Sequence, residues 1–345
     1  INLVKALFIG LGSIGQRHLR NLKMLRPDIK LLSYRKLKES PLLSEINEVI
    51  PGGEISDFYS IKEFHNLDEA LLEKPQLIFI TNPSKLHLST ALNCINNDAY
   101  FFIEKPLSTS LNDIDKLRNY NKRFKKNKIA VGYQFRFHPG IVLLKEKIEE
   151  LGNLISCEFV NGEYLPDWHP YEDYSKSYAS RSDLGGGALL TQIHDFDLSL
   201  YFFGMPSKLF AVGSKLSSLK VDVEDSVKVL MSNPYKNKNI PISLSFDYLS
   251  WPPKRNITVT GDKGQIFLDL NNQFMEINLI KARTQRKIKF DDFNRNQLFI
   301  DEMKNFLKFS EGEEIAMVDL ETSINSLKVA LGAKESMEKN KIIEL

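Results

Sequence analysis

Near its start the chain reads Leu7-Phe8-Ile9-Gly10-Leu11-Gly12-Ser13-Ile14-Gly15, an apolar strand that breaks at glycine, and it continues through residues 17–22 at helical spacing. This strand, glycine loop and helix form the context of a dinucleotide-binding fingerprint. The first glycine permits a tight turn, the second lets the backbone approach a pyrophosphate, and the third lets the helix pack closely on the strand. Backbone donors at the helix start would hold the phosphates. We therefore predict dinucleotide binding by Gly10, Gly12, Ser13, Ile14 and Gly15, with an ordinary glycine turn as the alternative.

Length and composition favour a soluble protein of two domains. The 345 residues are enough for two cores, because domains usually hold about 100 to 200 residues. The charged content of 26% is ordinary, and a net charge of +2 gives no reason to expect a nucleic-acid partner. The two cysteines, Cys94 and Cys157, form no paired motif, which fits a reducing compartment. The apolar start is too short to span a membrane, so we predict a cytoplasmic protein without a membrane partner.

Residues 3–130 alternate apolar strands with amphipathic helices, which is the pattern of a parallel sheet covered on both faces. The predicted strands are 6–9, 30–34, 76–81, 100–103 and 129–132, and the predicted helices between them include 86–96 and 111–125. Such sheets bind ligands outside the carboxyl ends of their strands. We predict an α/β chain with an N-terminal, doubly wound Rossmann domain over residues 1–132.

From about residue 154 the pattern changes to period-two alternation with turn signals, as in residues 242–248 and 257–268. One helix is inserted at 187–203, and a stripe of apolar residues predicts another at 320–338. We predict a C-terminal α+β domain over residues 133–345, built on an open, mostly antiparallel sheet. This domain would bind substrate and join subunits, and the helix at 320–338 could pack back on the first domain.

The acidic residue that usually follows the glycines by about 20 positions, and binds the ribose 2′-hydroxyl, is not evident. The second strand ends in Tyr34 and Arg35 instead. An arginine there can pair with a 2′-phosphate and stack on adenine, so these two residues are predicted cofactor contacts and NADP is favoured over NAD. The alternative is that Arg35 and Lys36 are simply exposed.

The next strand ends in the turn Thr81-Asn82-Pro83, and His87 follows near the start of a helix. A polar turn fixed by proline at a strand end is suited to contact ribose and nicotinamide. We therefore include Thr81, Asn82, Pro83 and His87 among the cofactor contacts. A plain strand-to-helix connection is equally compatible with these residues.

Glu104-Lys105-Pro106 completes a set of motifs by which the chain resembles the glucose-fructose oxidoreductase, inositol dehydrogenase and MocA (Gfo/Idh/MocA) family of nicotinamide-dependent oxidoreductases. The set spans essentially the whole chain in family order, and also includes the glycine loop, the turn at 81–83 with His87, residues 132–139, and Gly185-Gly186-Gly187 leading to His194 and Asp197. In this family the lysine lies beside nicotinamide and substrate, and the second-domain histidine acts as acid or base. The resemblance implies catalytic roles for Lys105 and His194, with Glu104 and Lys105 at the cofactor.

Alcohol oxidation is compatible with this pair. A proton must leave the hydroxyl as a hydride passes to nicotinamide, which supplies the redox chemistry. Histidine is suited to proton transfer near neutral pH, and an ammonium group would stabilise a developing alkoxide. Neither role requires a metal, and none is predicted. On the residues alone, Lys105 could be a surface lysine and His194 a hydrogen-bonded core histidine.

The region around His194 departs from the commonest family pattern. Many members place an aspartate one helical turn before this histidine, where this chain has Thr191-Gln192. Thr191 could hydrogen-bond across that turn, and Asp195 or Asp197 could orient the imidazole or satisfy local polarity. The orienting partner of His194 and the direction of the reaction therefore stay open.

Residues 164–181 combine aromatics, prolines and an arginine ahead of the glycine run. Such a loop can cover a polar ligand, with aromatic faces against a sugar ring and Arg181 on a phosphate or carboxylate. A loop packed by its own aromatics is the alternative. The predicted substrate contacts are Lys105, Arg136, Trp168, Tyr178, Arg181, Thr191 and His194.

Together these features predict an NAD(P)-dependent oxidoreductase acting on a secondary alcohol or ketone of a sugar or sugar derivative, with substrate between the domains. The loop at 168–181 is similar to that of bacterial members associated with surface-glycan sugar synthesis. We expect a homodimer or homotetramer through the C-terminal sheet. The alternatives are a dinucleotide-binding regulator without turnover, and an enzyme that retains its cofactor while it cleaves glycosides.

Overall fold

The computed structural model describes residues 4–36, 40–95 and 98–345. The chain divides into two compact units, the first spanning residues 1–133 and 299–324 and the second residues 134–298 and 325–345. The helices are α1 (Ser13–Leu25), α2 (Ile55–Tyr59), α3 (Leu67–Leu72), α4 (His87–Cys94), α5 (Ile114–Asn121), α6 (Pro139–Lys147), α7 (Ala188–Thr191), α8 (His194–Phe203), α9 (Arg295–Glu311) and α10 (Leu320–Lys339). The strands are β1 (Lys5–Ile9), β2 (Lys30–Tyr34), β3 (Lys62–Phe64), β4 (Leu77–Ile80), β5 (Tyr100–Glu104), β6 (Ile129–Gly132), β7 (Leu154–Gly162), β8 (Lys208–Ser214), β9 (Ser226–Tyr235), β10 (Lys238–Asp247), β11 (Lys254–Gly261), β12 (Gly264–Asp269), β13 (Phe274–Leu279), β14 (Thr284–Lys289) and β15 (Ile343–Glu344).

Within the described residues, the first unit contains a six-stranded parallel sheet in the order β3-β2-β1-β4-β5-β6. Its inner strands are apolar runs that are buried on both faces, as a parallel sheet covered by helices requires. Phe8 on β1 stacks on its register partner Phe79 on β4, with ring centroids 4.5 Å apart. The predicted Rossmann-type sheet is confirmed, and the strand order reverses between β1 and β4, where open sheets of this kind bind ligands.

The predicted strands correspond to β1, β2, β4, β5 and β6. The short β3 was not predicted, because three residues are too few to show a period. The helix predicted at 86–96 corresponds to α4, although Asn96 lies outside the described residues, and the helix predicted at 111–125 corresponds to the shorter α5.

Residues 299–324 complete the core of the first unit. Phe306 on α9 is almost fully buried and packs its ring edge against Phe79 and Phe102, with centroid distances of 5.2 and 5.4 Å. The backbone N–H of Val131 on β6 donates to the Val318 carbonyl at 3.0 Å. The core of this unit therefore depends on residues from late in the chain.

The second unit contains a nine-stranded sheet, counted over the described residues, in the order β14-β13-β12-β11-β7-β10-β9-β8-β15. The strands β7 and β10 pair in parallel, and the other pairings are antiparallel. Side chains alternate between a buried face, with Met231 and Ile242, and an open face that carries Leu230. The predicted open, mostly antiparallel sheet is confirmed.

Two helices in the C-terminal half were also predicted. The helix expected at 187–203 is divided into α7 and α8 by a break at residues 192–193, and α10 corresponds to the helix expected at 320–338. In the described ranges, none of the helices has both the length and the apolar character needed to cross a membrane.

Candidate active site

Gly10 and Gly15 are required by the packing of the first unit itself. Gly10 follows β1 with a φ of +100°, and a Cβ there would lie 2.6 Å from the backbone nitrogen of Asn82. A Cβ on Gly15 would lie 2.3 Å from the carbonyl oxygen of Gly10. Side chains do not tolerate such contacts, so these two glycines allow the tight turn and the close approach of α1 to β1.

Gly12 differs, because a Cβ at this position would meet no described atom within 4 Å. Gly12 is the N-cap of α1, no side chain from the described residues caps this helix, and Ser13 and Ile14 in its first turn are half-exposed. Backbone donors at a helix start, together with the positive end of the helix dipole, favour an anion. The open side of Gly12 and these donors fit the pyrophosphate of a dinucleotide.

The residues after β4 support the glycine loop. The Thr81 backbone N–H donates to the Ile9 carbonyl at 2.9 Å, and the Thr81 hydroxyl donates to the Gly10 carbonyl at 2.5 Å. The Asn82 amide donates to the Thr90 hydroxyl at 2.8 Å, and Pro83 is exposed. Of the three residues predicted to contact cofactor in this turn, Thr81 and Asn82 therefore bind within the protein.

His87 joins the turn that follows β4 to the turn that follows β5. Its Nε2 lies 2.7 Å from the Asn82 carbonyl oxygen, and its Nδ1 lies 2.7 Å from the Pro106 carbonyl oxygen. Both contacts can be hydrogen bonds only when both ring nitrogens carry hydrogen. Burial lowers the pKa of His87, and the two carbonyls oppose this effect. The buried imidazole thus cross-links the two predicted cofactor-binding turns.

Glu104 and Lys105, adjacent in sequence, have different environments. Glu104 is buried, and its carboxylate accepts hydrogen bonds from His18 Nε2 at 2.6 Å and from the Lys105 backbone N–H at 3.2 Å. Lys105 is half-buried, and its peptide bond to Pro106 is cis. His18 was not predicted from the sequence, although a polar residue on the buried face of α1, one turn after Gly15, was an available signal.

Arg35 is buried and bound within the first unit. Its Nη1 donates to Glu63 on β3 at 3.2 Å, and its Nη2 donates to the Ser40 carbonyl at 3.4 Å, while neighbouring Tyr34 is half-buried. The alternative of an exposed Arg35 is therefore wrong, since only 6% of this residue is exposed. Glu63 was missed because it lies on the unpredicted β3, beyond the expected spacing from the glycines.

In the second unit, His194 is the first residue of α8 and is buried, with its ring centroid 5.0 Å from that of Phe135 in an edge-on contact. Asp195 accepts hydrogen bonds from Asn161 at 2.6 Å and from Arg255 at 3.0 Å. Asp197 accepts two from Arg136, at 2.7 and 2.8 Å. Each carboxylate that could have oriented His194 therefore binds an arginine.

These buried ion pairs fix α8 within the second unit. Arg136, a predicted substrate contact, is 6% exposed and its guanidinium also lies over the Tyr201 ring. Arg255 lies over the Phe135 ring, 3.8 Å from its centroid. Burial raises the pKa of Asp195, and Arg255 and Asn161 lower it. Arg255 was not identified from the sequence, because its partner lies on a distant part of the chain.

Thr191 and Trp168 both contact Tyr248. The Thr191 hydroxyl donates to the Gly187 carbonyl at 2.8 Å and lies 2.8 Å from the Tyr248 hydroxyl. The Trp168 ring packs edge-on against Tyr248 with centroids 5.4 Å apart. Tyr178 is half-buried, and Arg181 is exposed and forms an ion pair with Asp183 at 2.6 Å.

Known proteins resemble this chain over nearly its whole length. A family profile described as "Oxidoreductase family, NAD-binding Rossmann fold" matches residues 4–133, and one described as "GFO/IDH/MocA C-terminal domain" matches residues 142–267. The chain is 25% identical to myo-inositol 2-dehydrogenase of Thermotoga maritima, over 98% of this chain and 97% of the relative. It is 21% identical to scyllo-inositol 2-dehydrogenase (NAD(+)) of Bacillus subtilis, over 99% and 96%.

A solved structure with the same fold is the WlbA dehydrogenase from Bordetella pertussis, which was determined in complex with NADH and UDP-GlcNAcA. The TM-score is 0.78 at 17% identity, and the superposition covers 100% of this chain and 99% of the other. The likeness supports the arrangement of strands and helices described above.

Alanine at Gly12 or at Gly15 should separate ligand binding from folding. We expect Gly12→Ala to keep the free energy of unfolding within about 1 kcal/mol of the parent, and to weaken NADH binding at least about tenfold because the methyl group narrows the open side of the loop. Gly15→Ala should lower the free energy of unfolding by about 1–3 kcal/mol, because its Cβ overlaps the Gly10 carbonyl. Denaturant titration and NADH fluorescence measure the two effects. Unchanged NADH affinity in Gly12→Ala would contradict this use of the loop.

Proposed function

The chain belongs to the Gfo/Idh/MocA family of NAD-dependent oxidoreductases, which act on CH–OH groups, and on this basis we propose that it transfers a hydride between nicotinamide and a secondary alcohol or ketone of a sugar or sugar derivative. One observation carries the proposal: the uncapped start of α1 follows β1, and the half-buried Lys105 follows β5 of the same parallel sheet. Hydrogen bonds from Thr81 and His87 connect the turns after these strands. The names of the two inositol dehydrogenases support a polyhydroxylated substrate.

In the proposed reaction, the backbone of residues 10–15 holds the pyrophosphate. The nicotinamide cofactor, when bound there, would supply the hydride chemistry for either direction. The Lys105 ammonium stabilises negative charge that develops on the carbinol oxygen. His194 takes the proton from that oxygen during oxidation and returns it during reduction. Glu104 and His87 act through the backbone of the Lys105 turn, to which both are hydrogen-bonded.

Residues of the second unit would bind and position the substrate. Trp168 and Tyr178 offer aromatic surface to the apolar face of a sugar ring, and Arg181 offers charge to an anionic group. Thr191 fixes Tyr248, and Arg136 fixes α8 through Asp197. The WlbA complex supports testing nucleotide sugars first, and a role in making sugars for bacterial surface glycans in the cytoplasm remains our prediction.

Turnover should require Lys105 and His194. We expect the parent to reduce NAD or NADP with at least one compound from a panel of inositols, free sugars and nucleotide sugars, measured by absorbance of the reduced cofactor. Lys105→Met and His194→Asn should each lower kcat by at least about 100-fold, because each removes a group that acts on the reacting oxygen. Lys116→Met, an exposed lysine on α5, is the control and should leave kcat unchanged. Undiminished turnover in Lys105→Met would refute its role, and NADH binding without turnover of any compound would favour the regulator.

Cofactor preference would depend on Arg35 and Glu63. Arg35 is the residue for which NADP is favoured from the sequence, since a guanidinium can pair with a 2′-phosphate. In the folded chain this guanidinium already binds Glu63, and a carboxylate at this edge repels a phosphate and can accept a ribose hydroxyl. We therefore expect the protein to accept NAD(H), with NADP(H) binding only when Arg35 leaves Glu63.

Removing the charge of Glu63 should shift this preference. Glu63→Gln is expected to raise the affinity for NADPH relative to NADH by about tenfold, which corresponds to about 1.4 kcal/mol of relieved repulsion. Fluorescence titration of both cofactors gives the ratio. Glu69→Gln, on the exposed side of α3, serves as the control. An unchanged ratio in Glu63→Gln would show that another group sets the preference.

The subunits would join through the open face of the second sheet. Leu230 and Val212 are more than half exposed there, at 55% and 58%, and Phe210 and Phe267 are half-exposed. Because apolar groups on an open sheet face mark a protein contact, we expect sedimentation to give two or four times the chain mass. Leu230→Lys should lower that mass, and Leu72→Lys on α3 should not. A parent that stays monomeric at micromolar concentration would contradict this assembly.

A further inference from the structure

A buried cluster of three ionisable side chains lies inside the first unit. It consists of His18 on α1, Glu104 at the end of β5 and Glu302 on α9. One nitrogen or oxygen from each lies within 4.8 Å of the others, and the residues are 0%, 6% and 4% exposed. His18 and Glu104 share a hydrogen bond, and Glu104 also accepts one from the Lys105 backbone N–H. Glu302 forms neither of these two hydrogen bonds.

Glu302 is unusual because its buried carboxylate oxygens accept no hydrogen bond from any side chain that the structure describes. Burial raises the pKa of Glu302 well above its usual range, the neighbouring charge of Glu104 raises it further, and the Tyr133 backbone acts in the opposite direction. Two buried carboxylates beside one imidazole require compensation, either by protons or by a bound cation.

The geometry favours protons. His18 Nε2 and Glu104 Oε1 are 2.6 Å apart, which is the distance of a direct hydrogen bond. Two ligands of a tetrahedral zinc ion, each about 2.0–2.2 Å from the metal, lie about 3.3 Å or more apart. A cation at this cluster would therefore have to break the contact between His18 and Glu104.

Building on the proposed role of Lys105, we propose that Glu302 is a positioning residue that carries a proton at neutral pH and thereby lets Glu104 hold both His18 and the Lys105 backbone. A neutral Glu302 leaves Glu104 as the single carboxylate of the cluster. Its hydrogen bonds then tie α1, whose start follows the glycine loop, to the turn that carries Lys105. Helix α9 thus contributes to the site through Glu104.

Loss of this proton at alkaline pH has a defined consequence. The groups that face Glu302 are Glu104 from β5 and His18 from α1, and Arg17 on α1 packs over the Phe299 ring of α9 at 4.9 Å. A second negative charge within 4.8 Å of Glu104 repels it and weakens its hold on α1 and on Lys105. NADH affinity should therefore fall as the pH rises in the parent, and should fall less in Glu302→Gln.

The same proton affects the free energy of unfolding, which should decrease as the pH rises and the proton is lost. A carboxyl whose pKa is raised by folding stabilises the protein fully below the ordinary glutamate pKa, and this contribution is lost as the pH rises toward the folded value. Over that range, the unfolding constant of the parent should increase by up to about tenfold per pH unit relative to Glu302→Gln, whose amide has no proton to lose.

Infrared spectroscopy and NADH titration test the proposal without a substrate. We expect the parent at pH 7 to show a protonated-carboxyl stretching band of which one component disappears in Glu302→Gln. At pH 7 the NADH dissociation constants of the parent and of Glu302→Gln should agree within about threefold. Between pH 7 and 10 the constant should rise at least about fivefold more in the parent than in the variant. Glu311→Gln, an exposed glutamate on the same helix, is the matched control and should behave as the parent does.

Several results would overturn the proposal. They are an identical band in parent and Glu302→Gln, superimposable pH profiles of NADH affinity, or one equivalent of divalent metal per chain that is lost in Glu302→Gln. If the variant does not fold, the proposal would be overturned by the absence of any protonated-carboxyl band in the parent at pH 7. Lack of turnover, or full turnover in Lys105→Met, would instead defeat the proposed function and leave these readouts unaffected.

Discussion

Parallel pairing of β1 with β4, and of β4 with β5, is the constraint on which the candidate site depends. Backbone hydrogen bonding in this register brings three strand ends to one edge of the sheet, although they are far apart in sequence. Cross-links between their turns, by Thr81 and His87, then convert three loops into one connected surface. His87 therefore holds the turns after β4 and β5 together, whether or not it contacts a ligand.

In the second unit, buried ion pairs hold α8 in place. Asp195 and Asp197 lie in the first turn of α8, which begins at His194, and each forms an ion pair with an arginine. Buried ion pairs contribute little net stability, but removal of either partner leaves an uncompensated charge, so the pairs restrict the helix to one position. A precisely held imidazole is more useful to proton transfer than a mobile one.

Features that depend on a local pattern could be predicted from the sequence. Strand periodicity predicted both sheets, and the glycine spacing predicted which glycines the fold needs and which one is left open. Partners that only tertiary contacts bring together could not be predicted in this way: they are Glu63 on a three-residue strand, Arg255 beside Asp195, and Glu302 beside Glu104. Arg136 illustrates the difference: its position near a motif predicts a substrate contact, whereas its hydrogen bonds to the buried Asp197 could be seen only in the folded chain.

The placement of Phe306 within the first core has a consequence for biosynthesis. The sheet of this unit is made early by the ribosome, yet the ring that covers Phe79 and Phe102 arrives much later, after eight of the nine described strands of the second sheet. The nascent chain must therefore keep an incomplete apolar surface in a state that does not aggregate. Such long-range closure slows folding and creates a demand for chaperones, so expression yield could be limited by this step more than by final stability.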